Sequence, residues 1–265
     1  MLFRSDEQGQ FAISLLSGHI GGANELTEEI AEILRAQPVI TTATDLNDKF
    51  AVDVFAKKNG CFISDMELAK EISAALLAGK EVGFVSDFPW LGEIPDELKL
   101  CQKEDEEKPE IGIYVTTGYL EHPFVHTLYL IPRVITTGLG CKKGTDKETV
   151  ESVVRRACDE LLVPSVAMEQ VASIDLKKEE AGILEYCKER KIPFITYTAE
   201  ELQEVEGTYA SSQFVEDVTG VDNVCERAAL LGSSKEGKGR LIQRKYAKDG
   251  VTVALAMKKW SVNFE

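Results

Sequence analysis

The side chains best suited to chemistry gather in two glycine-rich stretches. "SGHIGGAN" (17–24) holds Ser17, His19 and Asn24 among Gly18, Gly21 and Gly22. "GLGCKKGT" (138–145) holds Cys141, Lys142, Lys143 and Thr145 among Gly138, Gly140 and Gly144. Each follows a β-type apolar run and precedes a helical pattern. Free N–H groups at a helix start and the helix dipole favour an anion, carboxylate as well as phosphate. A dinucleotide fingerprint requires G-x-G-x-x-G. The first stretch has G-x-x-G-G and no Walker pattern, so a nucleotide is its weakest reading. A tight turn with a surface histidine, or a site for an anionic group, remain. The two lysines of the second stretch are either solvated surface charges or part of a carboxylate or phosphate cradle. Ser17 and His19 are nucleophile and base by type. The G-x-S-x-G elbow is absent, however, and no acid partner is assignable.

Other polar residues have ordinary roles open to them. Asp175 is placed to cap the following helix. Lys177 and Glu180 have the spacing of an i,i+3 pair. Glu226 sits in the apolar helical pattern "VCERAALL", where a buried acid needs a partner. The six cysteines, at 61, 101, 141, 158, 187 and 225, never fall within four residues of one another. That rules out C-x-x-C zinc spacing, and they are expected to be free thiols. Pro123, between His122 and His126, argues against a shared helix face. No metal site is expected.

The elements that position these residues follow from composition and period. The chain has 265 residues and a formal net charge of −15, which argues against a nucleic-acid partner. No apolar run approaches the roughly 18 residues of a membrane span, and "MLFRSDEQGQ" has no signal core. A soluble cytoplasmic protein is expected. "FAISLLS", "PVITTA", "CFIS", "EVGFVS", "IGIYVTT" and "HTLYLIP" predict strands. "ELTEEIAEIL", with Leu26, Ile30, Ile33 and Leu34 on one face and Asn24 as cap, predicts a helix, as do "DKFAVDVFAKKNG" and "DMELAKEISAALLAG". The polar run "CQKEDEEKPE" (101–110) is expected to be a solvated loop. From "RVITTG" a second alternating series begins and ends in two strands, "GRLIQRKY" and "GVTVALAMKK". The fold class predicted is α/β: two strand–helix alternating domains with mostly parallel sheets and helices on the faces. The domains expected are 1–131 and 132–265.

The segments "FAISLLSGHIGGANELTEEIA", "PVITTATD", "GLGCKKGT", "VASIDLKKEEAGIL", "SSQFVEDVTGV" and "VTVALA" together resemble the cobalamin biosynthesis protein G (CbiG) family. Those of the second half also resemble the stand-alone CobE proteins. The resemblance runs from about Phe11 to about Ala256. Family members begin upstream with further strand and helix material, whereas Met1 here falls just before the first motif strand. Arg227 stands where the family tends to have proline.

The resemblance implies a cobalt-precorrin-5A hydrolase of anaerobic cobalamin synthesis. Such an enzyme opens a lactone on a cobalt-bearing tetrapyrrole and releases acetaldehyde. The cobalt belongs to the substrate, and no cofactor is expected. His19 is then the expected base or acid, and Asp45, just past a strand's carboxyl end, the orienter or second base. Ser17, Gly18, Gly21, Gly22, Asn24, Gly138, Gly140, Cys141, Lys142, Lys143, Gly144, Thr145 and Lys177 are the expected substrate-binding residues. The partner expected is the tetrapyrrole, with neither nucleic acid nor membrane; a second copy of the chain and transient contact with neighbouring pathway enzymes are admitted. Two other classes stay open: a non-catalytic carrier of corrinoid intermediates, and a nucleotide-dependent oxidoreductase.

Overall fold

The computed structural model describes residues 2–16, 22–40, 50–234 and 239–265. The chain divides into two compact units. The first comprises residues 1–116, 121–131 and 262–265, and the second 117–120 and 132–261.

The first unit opens with β1 (Leu2–Ser5), β2 (Phe11–Leu16), α1 (Ala23–Leu34) and β3 (Gln37–Val39). β2 pairs antiparallel with β1 and parallel with β3. The buried face of α1 is Ala23, Asn24, Thr27 and Ala31, while Ile33 and Leu34 are exposed. This corrects the apolar face expected at Leu26, Ile30, Ile33 and Leu34. Small residues on β2 and α1 let helix and strand approach closely, and the buried Ser14 hydroxyl donates to Asn24 Oδ1 at 2.6 Å. Asn24 is not the cap either. Gly22 holds that position, with φ 71°.

Next come α2 (Val52–Lys58), β4 (Cys61–Ile63), α3 (Met66–Leu77), β5 (Val82–Ser86), β6 (Trp90–Leu91), β7 (Leu98–Leu100), β8 (Ile111–Val115) and β9 (His126–Pro132). They build a five-stranded sheet ordered β4-β9-β8-β5-β7. The pairings β5–β7, β5–β8 and β8–β9 are all parallel. Asp65 caps α3 by accepting from the Glu67 and Leu68 amides.

The second unit holds β10 (Ile135–Cys141), α4 (Lys147–Asp159), β11 (Met168–Ile174), a 3-10 turn (Asp175–Lys177), α5 (Ala181–Arg190), β12 (Phe194–Tyr197), α6 (Ala199–Gln203), α7 (Gln213–Thr219), α8 (Cys225–Ser233), β13 (Arg240–Lys248) and β14 (Val251–Met257). Its sheet runs β12-β11-β10-β14-β13. The β10–β11 and β11–β12 pairs are parallel, but β10–β14 and β13–β14 are antiparallel. The mostly parallel sheet expected here is therefore only half right. The reason is local: Asp249 (φ 50°) and Gly250 (φ 79°) form a two-residue turn that folds β13 back on β14. Ala254 and Ala256 of β14 pack with Cys225, Ala229 and Leu230 of α8. The buried stripe of α4 is Val150, Val153, Val154, Ala157 and Cys158.

The chain's last residues leave the second series. β15 (Val262–Asn263) pairs parallel with β6. The Asn263 amide donates to Asn59 Oδ1 at 2.7 Å, and the Phe264 ring stacks on Phe55 with centroids 4.9 Å apart. Residues 262–265, expected with the second domain, thus belong to the first unit, because aromatic packing and a strand pairing hold them there.

Candidate functional site

A cavity of about 700 Å³ opens in the second unit at the carboxyl ends of β10 and β11. That volume is within the roughly 300–1,000 Å³ of small-molecule sites, and strand carboxyl ends are where open α/β sheets place ligands. Its floor is apolar: Ile174, Val224, Cys225 and Val251 line it, each at most 7% exposed. Val215 and Val218 of α7 add an apolar side wall. Among the described residues, the charged lining consists of Lys142, Lys143, Lys177, Lys245 and Lys248, with Asp249 the one acid. In a chain of net charge −15 this is a local reversal of sign.

Each cation arrives from a different local structure. Lys142 and Lys143 follow β10 directly. The Lys142 amide donates to the Gly250 carbonyl at 2.9 Å, tying this turn to the β13–β14 turn, and the Thr145 hydroxyl donates to the Lys142 carbonyl at 2.7 Å. Lys177 ends the 3-10 turn, and its ammonium lies 2.9 Å from Glu180 Oε2. Glu180 Oε1 accepts from the Gly144 amide at 2.6 Å. Burial opposes charge on Glu180, but the Lys177 ammonium, the Gly144 amide and the nearby Lys143 charge outweigh it and hold its carboxyl below the ordinary range. Among the described residues, Lys142, Lys143, Lys245 and Lys248 take part in no ion pair.

The residues expected to bind therefore separate. Gly140, Cys141, Lys142, Lys143 and Lys177 line the cavity. Gly138 does not, and is a strand residue under α8: a Cβ there would lie 1.8 Å from the Cys225 carbonyl oxygen. Its role is close packing. Gly144 and Thr145 shape the turn, and the Gly144 amide is already taken by Glu180. At the amino end of α4, Asp146 accepts from the Thr149 amide at 2.7 Å. At this loop the Gly144 and Thr149 amides are paired within the protein, and what faces the cavity is the lysine side chains. Asp175 does not cap the following helix, contrary to expectation; it opens the 3-10 turn, and Glu180 is the N-cap residue of α5. Burial pushes the Cys141 thiol up, which disfavours a nucleophilic thiolate in the cavity wall.

Gly22 and Asn24 lie in the first unit at the start of α1, and Asn24 is buried. Ser17, Gly18, His19, Gly21 and Asp45 fall outside the described residues.

Sequence reasoning missed Lys245, Lys248 and α7. For α7 a signal existed: Ser212 ahead of "QFVEDVT" and Gly220 (φ 76°) behind it are a helix start and stop. Lys245 and Lys248, three apart in a strand, fall on opposite faces of a regular pleat, so alternation gave no reason to group them. Arg227 also contributes at a distance. Its guanidinium donates to the Val205 carbonyl at 2.7 Å, pairs with Asp222 at 2.9 Å and lies 4.3 Å over the Tyr209 ring. It ties the chain after α6 to α8.

The first unit carries a second polar cluster, where β5 and β8 end. The Tyr114 hydroxyl lies 2.8 Å from Asp87 Oδ1 and 2.9 Å from Glu121 Oε2, the Thr116 hydroxyl donates to Asp87 at 2.6 Å, and Lys103 pairs with Asp87 at 2.6 Å and with Glu121. Lys103 belongs to the polar run expected to be solvated, yet it is only 32% exposed. Burial raises the Tyr114 phenol, and burial of the Lys103 ammonium is overcome by hydrogen bonds with Asp87, Glu121 and Tyr114 that raise it too. Neither group titrates near neutrality, so the cluster is an anchor for the charged loop. Among the described residues, no group of three or more His, Cys, Asp or Glu could hold a metal ion. Among the same residues, no helix is long and apolar enough to cross a membrane.

Comparison with known proteins matches the chain to three family models in series. Residues 4–45 match the Cobalamin synthesis G N-terminal model, 50–132 the Cobalamin biosynthesis central region, and 135–256 the Cobalamin synthesis G C-terminus. A protein of Salmonella typhimurium named cobalt-precorrin-5A hydrolase is 33% identical over 264 residues, covering 95% of this chain and 73% of its own. A Priestia megaterium protein of the same name is 33% identical over 263 residues, covering 94% and 70%. The solved structure of CobE, a protein from the cobalamin (vitamin B12) biosynthetic pathway, is 28% identical with a TM-score of 0.45, covering 48% of this chain and 92% of that one.

Proposed function

The chain belongs to the cobalamin biosynthesis G (CbiG) family, and on that premise we propose that it is a cytoplasmic cobalt-precorrin-5A hydrolase, acting on a carbon–carbon bond. The observation that carries the proposal is the cavity of the second unit: an apolar floor edged by five lysines in an otherwise acidic chain. A flat conjugated macrocycle with peripheral carboxylates has the complementary pattern. Its face leaves water for the apolar floor, and its carboxylates meet ammonium groups.

The chemistry divides into two steps. Water adds to the lactone carbonyl and the ring C–O bond breaks, leaving a carboxylic acid and an alcohol. A base then removes the alcohol proton, and the adjacent carbon–carbon bond breaks. Its electron pair enters the conjugated macrocycle, and the former meso carbon leaves with its methyl group as acetaldehyde. The product is cobalt-precorrin-5B. The macrocycle is its own electron sink, so the chain need supply only binding, orientation and proton transfer. Cobalt enters as part of the substrate, and no resident cofactor is invoked. His19 and Asp45 are the proposed proton-transfer pair.

The test is anaerobic incubation of the purified protein with cobalt-precorrin-5A, with acetaldehyde trapped and the corrinoid product weighed by mass spectrometry. Stoichiometric acetaldehyde supports the hydrolase. Saturable binding without acetaldehyde makes the protein a corrinoid carrier instead.

A further inference from the structure

Lys245 reaches the cavity through an irregularity in β13. Gln243 pairs with Leu255 and Tyr246 with Val253, so three steps on β13 oppose two on β14. The extra residue makes a bulge, a device that re-aims a side chain at the cost of a ladder bond. The amide of Lys245 instead donates to Glu226 Oε1 at 2.8 Å.

Glu226 is fully buried in the first turn of α8. Its other oxygen accepts from the Ala210 amide at 3.1 Å and from Asn223 Nδ2 at 3.0 Å, while Asn223 Oδ1 accepts from the Glu226 amide at 2.9 Å. All three partners of the side chain donate, so both carboxylate oxygens are used as acceptors. One buried side chain thus fastens the chain near Ala210, the start of α8 and the bulge of β13. Asn223 and Lys245 both line the cavity.

We infer that Lys245 is a specificity-determining contact that favours a carboxylate over an amide on the bound ring, and that Glu226 is the positioning residue that aims it. The inference rests on the cavity binding a corrin polycarboxylate. An ammonium group gains a charge-assisted hydrogen bond from a carboxylate, whereas a primary amide offers only a neutral carbonyl. Glu226 sets this preference without touching the ligand. A glutamine there has one accepting oxygen and an amino group that cannot accept. Keeping the bonds to Ala210 and Asn223 turns that amino group against the Lys245 amide and releases the bulge.

The experiment measures binding of two probes to the full chain. One is a cobalt corrin polycarboxylate made by complete amide hydrolysis of cobalamin, and the other is the amidated corrinoid cobinamide. Lys245→Met should weaken the polycarboxylate by about fivefold, between the small worth of exposed pairs and the larger worth of desolvated ones, and leave cobinamide unchanged. Lys245→Arg should restore most of the loss. Glu226→Gln should show the same selective loss, and the double variant no more than either single one. Unchanged polycarboxylate affinity in Lys245→Met, with Lys142→Ala/Lys143→Ala still weakened, overturns the inference and leaves the cavity reading standing. Additive losses, or equal losses for both probes in Glu226→Gln, overturn the positioning role. If Glu226→Gln does not fold, the two Lys245 variants decide the contact. Failure of the wild type to bind either probe overturns the cavity reading and this inference with it.

Discussion

Glu180 stands between Lys177 and the Gly144 amide, 2.9 Å from the first and 2.6 Å from the second, so one of the cavity lysines is already paired with an acid of the protein itself. The pair is mostly shielded, with side-chain exposures of 18% and 8%. Removing the negative charge should raise the local positive potential. Glu180→Gln, which can still accept from Gly144, is expected to tighten corrin polycarboxylate binding about threefold at low salt, the scale of a single partly screened charge. Titration at two salt concentrations checks this. Weaker binding would mean that Glu180 holds the loop in its binding shape.

Lys142 and Lys143 are exposed, adjacent and without ion-pair partners among the described residues. Changing both to Ala should weaken the same ligand and flatten the salt dependence that remains, because fewer charges are left to screen. Affinity unchanged at low salt would return both to the solvated surface.

Two glycines of the same stretch should respond oppositely. A Cβ on Gly138 would lie 1.8 Å from the Cys225 carbonyl oxygen and 2.8 Å from the Ala229 amide nitrogen, both backbone atoms of α8. Gly138→Ala must push the helix off the sheet and should cost about 3 kcal/mol or more, the upper range for overpacking. Gly144 has φ 76° and no atom within 4 Å of an added Cβ. Gly144→Ala should cost only about 1 kcal/mol of backbone strain. Denaturant midpoints compare the two, and equal losses would refute the packing role of Gly138.

The thiols predict an alkaline limit. Burial pushes Cys158, Cys187 and Cys225 up from 9.0 to about 12. The unfolded chain ionises these groups from about 9, while the folded state keeps them protonated. Their contribution is therefore complete below pH 9 and is lost as pH rises from 9 towards 12, by roughly 1.4 kcal/mol per thiol at pH 10. Unfolding free energies at pH 7 and pH 10 should differ in that direction, and alanine at all three positions should reduce the difference. Cys61, raised in the same way, leaves a smaller difference in that variant, and a difference that survives undiminished would place the titration elsewhere.

His19 carries the proposed proton transfer on its residue type. Replacement by Asn keeps hydrogen bonding and removes titration near neutrality. His19→Asn should lower turnover by about 100-fold to 10,000-fold with little change in affinity. The pH–rate profile should lose a limb near pH 6–7. Near-normal turnover with an unchanged profile would move the chemistry to another group.

Local pattern was enough for much of this protein. The chain after the second glycine stretch has the helical pattern "KETVESVVRRACD", and α4 forms there, with the structure adding the Asp146 cap and the buried stripe. The spacing of Lys177 and Glu180 yields their ion pair. Cysteine spacing foretold thiols, and all six are free. Such features depend on residues a few positions apart, whose geometry is set by helix and strand dimensions alone. The placement of Lys142 and Lys143 beside a helix start was also legible, but not what their glycines do. Whether Gly138 meets a ligand or a helix depends on where α8, some ninety residues later, comes to rest. The tertiary structure likewise decided that Val262–Asn263 returns to β6, that half of the second sheet is antiparallel, and that Lys245 joins Lys248 at one cavity. Each of these is a contact between segments far apart in the chain, and its energy comes from burial and hydrogen bonds that exist only once the core has closed. The buried Glu226 shows the division in one residue. An acid in an apolar helix demanded partners; Asn223 lies three residues away, but only the fold could bring Ala210 and Lys245.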